Sequence, residues 1–194
     1  MITGIILASG FSRRIGEEKL LLKVKSIPML ERVIRSSQSS QIEELILIYQ
    51  KDEIKEVAKK YSIKSVYNRH ADEGQSAAVK LGVKFSHPDS DGFMFLVGDQ
   101  PYLNSSTINK LIETFNREND TIVVPVYSNT RGNPVIFPST LKEDLLRLEG
   151  DCGGRKIIES MRDRVKLVSI EESIEGTDID TKEEYEKIQG LEAK

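Results

Sequence analysis

Cysteine is nearly absent from this chain: Cys152 stands alone among 194 residues. No internal disulfide can form, and the reducing cytoplasm is the expected home. Asp151 beside it would not favour a thiolate, so Cys152 reads as a packing or loop residue. Histidine is scarce as well. His70 and His87 are not spaced as a metal pair, and no Ser-His-Asp arrangement can be built from them. Long apolar runs are missing, since no stretch approaches the ~18–20 residues of a membrane span. The apolar start MITGIILASG has no basic leader and runs directly into FSRRIG, which reads as a first strand rather than a secretory signal. A basic excess is also lacking. With a net charge of −3 and a pI near 5.6, the chain is not expected to be a dedicated nucleic-acid binder, although a local basic pocket remains allowed.

What remains is an ordinary globular balance, 38% hydrophobic and 30% charged, in a length that one core can serve. Short apolar runs alternate with helical periodicity. The runs are GIILA, ELILIYQ (44–50), KSVYN (64–68), GFMFLVG (92–98), TIVVPVY (121–127), NPVIF (133–137) and VKLVSI (165–170). Their continuity suits strands covered on both faces. Between them, Ile54, Val57, Ala58 and Tyr61 recur at helical spacing. So do Ile108, Leu111, Ile112 and Phe115, behind the capping candidates Ser105, Ser106 and Thr107. Helices are also expected after Pro28 (Leu30, Val33, Ile34) and around Ile157, Ile158 and Met161. Strand and helix in alternation imply βαβ crossovers: one α/β domain over residues 1–190 with a mostly parallel sheet, and 191–194 expected to fray.

In such a fold, ligands bind beyond the carboxyl ends of the strands, near the switch in strand order. SGFSRRIG follows the first strand, NRHADEGQS the third and GDQP the fourth. Gly10 and Gly16 permit a tight turn with N–H groups available to an anion, and Arg13, Arg14 and Lys19 add cationic donors. The stretch is neither a Walker A loop nor a dinucleotide fingerprint. An ordinary solvated loop would read the same way locally. Asp99, behind the apolar run, is placed to hold Mg²⁺, though an aspartate there also forms turns. Asp178 and Asp180 alternate about an isoleucine, so an extended segment would point both to one face, with Thr181 and Glu184 capping a last helix. Gln75 and Ser76 open an amphipathic helix carrying Ala78, Leu81 and Phe85, where Ser76 could serve only as a cap. TRGNPVIF and GDCGGRKI are two more Gly-plus-Arg clusters, readable as turns or as walls of a second pocket.

Taken in order, LASGFSRRIGEEKLLL, EGQSAAVKLG, GDQPYL, RGNPVIF, GDCGGR and DIDTKEEY resemble the MobA-like nucleotidyltransferases, with the molybdenum-cofactor cytidylyltransferases as the nearest branch. The resemblance runs from residue 2 to about 187 and implies a Rossmann-like three-layer fold. It implies transfer of CMP from CTP to a terminal phosphate on molybdopterin, with Mg²⁺ and release of pyrophosphate. Carried onto this chain, Leu7, Ala8, Ser9 and Gly10 would line base and ribose, and Gly10, Arg14 and Lys19 would hold the triphosphate. Arg14, Lys19 and Asp99 would be catalytic, and Gln75 and Ser76 would lie near the base. Asp99 and Asp180, or Asp178, would bind metal. Arg131, Gly132, Asn133, Pro134, Asp151, Gly153 and Arg155 would face the acceptor. Ser9 stands where the cytidine branch carries alanine and the guanosine branch often glycine, so GTP stays open as the donor, as does another phosphorylated acceptor. A different class of reading is a carrier that hands the cofactor to a client molybdenum hydroxylase without turnover.

Overall fold

The computed structural model describes residues 1–10, 18–118 and 120–192. Its elements are β1 (Ile2–Ala8), β2 (Lys23–Val24), β3 (Ile27–Pro28), α1 (Met29–Gln38), β4 (Glu44–Tyr49), α2 (Asp52–Lys60), β5 (Lys64–Tyr67), α3 (Gln75–Phe85) and β6 (Gly92–Val97). Then come α4 (Ser105–Arg117), β7 (Ile122–Tyr127), β8 (Thr130–Arg131), β9 (Val135–Pro138), α5 (Lys142–Leu146), α6 (Arg155–Ser160), β10 (Val165–Ile170) and α7 (Lys182–Glu192). The last helix thus includes the first two residues of the segment expected to fray, and residues 193 and 194 lie outside the described ones.

The main sheet runs β5–β4–β1–β6–β9–β7–β10, with β8 attached to β7. β1 pairs parallel with β4 and β6, β4 with β5, and β7 with β10. Among the described residues of this sheet, β9 and the short β8 run antiparallel to their neighbours. The chain moves outward from β1 through β4 to β5, then returns through α3 to β6 on the other side of β1. The strand order therefore reverses between β1 and β6, and their carboxyl ends frame a crevice.

Alternation along each strand builds two cores. Ile6, Leu47, Met94 and Leu96 face the layer containing α1, α2 and α4, while Ile5, Ile46, Ile48, Phe93 and Phe95 face α3, α5 and α6. With both faces covered, the strands read as unbroken apolar runs. Burying each such Ile, Leu or Phe contributes about 1.5–3 kcal/mol. Close approach of α3 to β1 depends on Gly82, where a Cβ would lie 2.4 Å from Ile5 Cγ2. The helix that leads into the crevice is thereby held directly against the strand that ends in it.

The start of α4 differs from the expected Ser105–Thr107 cap. Asn104 is the capping residue, its side-chain oxygen accepting from the Ser106 amide at 3.1 Å. Asparagine satisfies an orphan N–H of the first turn as well as serine does. At the last helix the expected box is present: the Glu184 amide donates to Thr181 Oγ1 at 3.2 Å and the Thr181 amide to Glu184 Oε2 at 2.8 Å.

Candidate active site at the switch point

β1 delivers Leu7, Ser9 and Gly10 to one wall of a cleft of about 880 Å³ at this crevice. Ala8 is turned into the core instead. Ser9 is buried and its hydroxyl accepts from Asn68 Nδ2 at 3.0 Å. Asn68, at the end of β5, is itself anchored by its amide on the Tyr49 carbonyl at 2.7 Å. The loops after β1 and β5 are thus tied together below the cleft floor. Among the described residues, no atom lies within 4 Å of the position a Cβ on Gly10 would take. Arg13, Arg14 and Gly16 lie outside the described residues.

A 3₁₀ turn at Lys19–Leu21 brings Lys19 back over the end of β6. Its ammonium donates to Asp99 Oδ2 at 2.5 Å and to Asp180 Oδ1 at 2.7 Å. Asp99 follows β6 directly, behind Gly98, whose bare Cα faces Leu20. Asp180 arrives from the far end of the chain because the Ile179 amide donates to the Asp99 carbonyl at 3.2 Å. Ile179 is fully buried beside Val24 and Met29, so the intervening isoleucine pins the acidic pair in place. Residues at positions 19, 99 and 180 therefore converge in one cleft.

The electrostatics follow from that convergence. Burial would lower the Lys19 pKa, but the adjacent Asp99 and Asp180 carboxylates outweigh it and hold the ammonium above the ordinary lysine value. The other Asp99 oxygen, Oδ1, is buried and without a hydrogen-bond partner. Asp178 keeps surface open to solvent, yet its carboxyl is packed among protein atoms. That desolvation, with the negative charge of Asp99, pushes its pKa up to about 6 despite a hydrogen bond from Gln100. Tyr127 is driven above the ordinary phenol value by burial and by the nearby Glu175 and Asp178.

The opposite wall is made by the turn Ala71–Glu73, Gly74 and Gln75. Ser76 is buried one step behind it, its hydroxyl without a partner. Asp151 is the member of the expected acceptor set that lines the cleft. Its carboxylate accepts from the Gln75 amide at 3.2 Å. Arg155 pairs along its own helix with Glu159 at 2.9 Å and is exposed. Arg131 is exposed on β8, and the Asn133 carbonyl accepts from Tyr127 Oη at 2.8 Å ahead of a cis Asn133–Pro134 bond. Sequence reasoning overlooked Asn68, a buried polar residue closing a strand, and the acids Asp72 and Glu73. The polar break in NRHADEGQS was their available signal.

A doubly wound sheet with a polar cleft at its switch point defines an α/β protein with a ligand site at the carboxyl ends of its strands. The model of the MobA-like NTP transferase domain matches residues 4–165. The chain belongs to that family and is a nucleotidyltransferase. It is 26% identical over 198 residues to the purine catabolism protein PucB of Bacillus subtilis, covering 96% of this chain and 95% of the relative. It is 27% identical to a Bacillus mycoides protein named probable molybdenum cofactor guanylyltransferase, covering 96% and 94%. Among solved structures, the Rv0371c homolog from Mycobacterium sp. strain JC1 superimposes with a TM-score of 0.86 at 27% identity, covering 99% and 97%.

Proposed function

We propose that this transferase moves a nucleoside monophosphate from a nucleoside triphosphate to a terminal phosphate of the molybdenum cofactor class. An oxygen of the acceptor phosphate attacks the α-phosphorus, the bond from that phosphorus to the bridging oxygen breaks, and pyrophosphate leaves with the electron pair. A phosphate oxygen is already a nucleophile, so the reaction requires alignment and charge neutralisation rather than a general base. The observation that carries this reading is the meeting of Lys19, Asp99 and Asp180 in one cleft.

Lys19 neutralises phosphate charge, together with Arg14. Gly10 offers its backbone from the carboxyl end of β1, and Leu7, Ser9 and Gln75 border the nucleoside. The 131–134 segment and the 151–155 loop would face the acceptor, Asp151 from the cleft itself. Among the described residues no cluster of three or more His, Cys, Asp or Glu is gathered for a metal. The donor set still fits Mg²⁺, which typically takes one or two carboxylates and completes its shell with water and substrate phosphate. The unpartnered Asp99 Oδ1 is the orphaned acceptor such an ion would satisfy. Asp99 and Asp180 would hold it, and when bound it would supply Lewis-acid neutralisation of the polyphosphate.

The base is read as cytosine on the likeness of GDQP, GNPV and DIDT to the cytidylyl branch. Guanine is the second reading, favoured by relatives named molybdenum cofactor guanylyltransferase. A carrier without turnover would have no use for the Lys19–Asp99–Asp180 arrangement. Incubation with molybdopterin, Mg²⁺ and each of the four triphosphates should release pyrophosphate fastest with CTP. Fastest release with GTP would transfer the assignment to guanine, and inertness with all four would end the transferase reading. Asp99→Ala should abolish turnover with little change in far-UV circular dichroism.

A further inference from the structure

The loop Gly150–Gly154 is fastened to the first turn of α3 at several points. The helix starts from Gly74, at φ +92°, which has no side chain to cap it. Two of the first-turn donors are instead met from a distant segment: the Gln75 backbone amide by Asp151 Oδ1 at 3.2 Å, 76 positions away, and the Ser76 amide by the Gly150 carbonyl at 3.2 Å. The backbones touch, since a Cβ on Gly74 would lie 2.8 Å from the Asp151 nitrogen. The Gln75 side chain is caught as well, because a Cβ on Gly153 would lie 2.6 Å from Gln75 Oε1. Gly153 has φ +45°, and Gly154 abuts the Phe137 ring of β9.

From this geometry we infer that Asp151 is a positioning residue for the nucleotide side of the cleft: it caps α3 in trans and so sets Gln75. This role differs from the acceptor contact that the family likeness implies for it, and rests on the bond its carboxylate makes to the start of α3. A carboxylate at that end satisfies an orphan N–H and complements the helix dipole. Because the same loop continues into Arg155, displacement on the acceptor side is transmitted to Gln75. The inference rests on the proposed placement of the nucleoside beside Gln75.

Three variants test it: Asp151→Ala, Asp151→Asn and Gly153→Ala. Loss of a capping oxygen should raise the triphosphate KM about fivefold in Asp151→Ala, with the acceptor KM changed less than twofold. Asp151→Asn, which keeps an acceptor oxygen, should restore the triphosphate KM to within twofold. Gly153→Ala, which drives a methyl into the Gln75 amide, should reproduce the Asp151→Ala defect. Hydrogen exchange should show protection at Gln75 and Ser76 lost in Asp151→Ala and kept in Asp151→Asn. A rise in acceptor KM in either Asp151 variant, with triphosphate KM unmoved, would overturn the inference. Retained protection in Asp151→Ala would do the same. If Asp151→Ala does not fold, Asp151→Asn and Gly153→Ala still decide through the same two Michaelis constants. A wild-type chain that binds none of the four triphosphates in a thermal shift assay would refute the nucleotide site itself, leaving the exchange result to judge the cap alone.

Discussion

Replacing Lys19 with methionine, which keeps the length of the stem, removes a cation lodged between two carboxylates. Unit charges about 4 Å apart attract by about 4 kcal/mol at an effective dielectric near 20. Withdrawing the ammonium from water offsets much of this. Hydrogen bonds to charged groups retain about 1.5–3 kcal/mol net, so Lys19→Met should destabilise the protein by about 2–3 kcal/mol at low ionic strength. In a domain of this size each kcal/mol moves the melting temperature by roughly 2–4 °C, giving a fall of about 4–12 °C. The carboxylates of Asp99 and Asp180 both lose this cation, so a divalent ion should bind better in the variant. Recovering half of the lost energy through the ion corresponds to roughly tenfold tighter binding. Scanning fluorimetry with and without MnCl₂, and Mn²⁺ titration followed by electron paramagnetic resonance without nucleotide, read the two effects separately. Turnover should disappear even as metal affinity rises. The sign of the pH dependence also follows. The raised pKa makes the Lys19 contribution fully present below the ordinary value of 10.5 and lost as pH climbs through the folded-state value. Wild type and variant should therefore converge in strong alkali. An unchanged melting temperature together with unchanged Mn²⁺ affinity would refute the reasoning.

Asp178 binds its proton more tightly in the folded chain, with a pKa of about 6 against an ordinary 3.8, so stability falls as pH rises across that window. Asp178→Asn should melt above wild type at pH 7.5, by less than about 1 kcal/mol given its access to water, and the gap should shrink towards pH 4; a lower melting point at pH 7.5 contradicts this. Gly82→Ala would force a methyl to 2.4 Å from Ile5 Cγ2. Overpacking should cost about 1–3 kcal/mol despite the better helix propensity of alanine, and chemical denaturation showing a gain would be inconsistent with the close contact of α3 and β1. Asn68→Ala leaves the His70 amide unmet and releases the Ser9 hydroxyl. It should cost about 1–3 kcal/mol and raise the triphosphate KM more than kcat falls; an effect on kcat alone would mean the loop after β1 does not depend on this tie.

The parallel core was legible because two-sided burial leaves a simple mark. β1, β4 and β6 carry apolar residues at consecutive positions, and α1, α2 and α4 show one apolar face each. Direction was not legible. The segment 133–137 reads as a strand, but nothing in its residues says that it enters antiparallel between β6 and β7. That outcome is set by the reversal at Ser128 and Asn129, with φ of 46° and 66°, which folds β8 back on β7. The β2–β3 hairpin escaped for a related reason. Lys25 and Ser26 occupy left-handed conformations, φ 49° and 66°, where glycine or asparagine is the usual signal.

At the site, legibility follows the same division between local and distant causes. The 178–180 pair was visible because alternation about one buried isoleucine is a local pattern. The meeting of Asp180 with Lys19 depends on the backbone bond from Ile179 to Asp99 and on burial of Ile179 beside Val24 and Met29, which no spacing rule encodes. Asp151 illustrates the reverse case: a conspicuous polar residue in a glycine-rich loop invites a ligand, and the donor it meets in the fold, the Gln75 backbone amide, lies on another element. Glycines 74 and 153 explain why it reaches, since each removes a Cβ that would stand under 3.0 Å from the facing chain. The described parts of the cleft walls are therefore joined to one another, Ser9 to Asn68 and the start of α3 to the 150–154 loop, before any substrate arrives. A substitution in these ties should change substrate constants only through the wall it displaces. For this reason, paired measurements of triphosphate and acceptor KM discriminate among the roles of these residues better than activity alone.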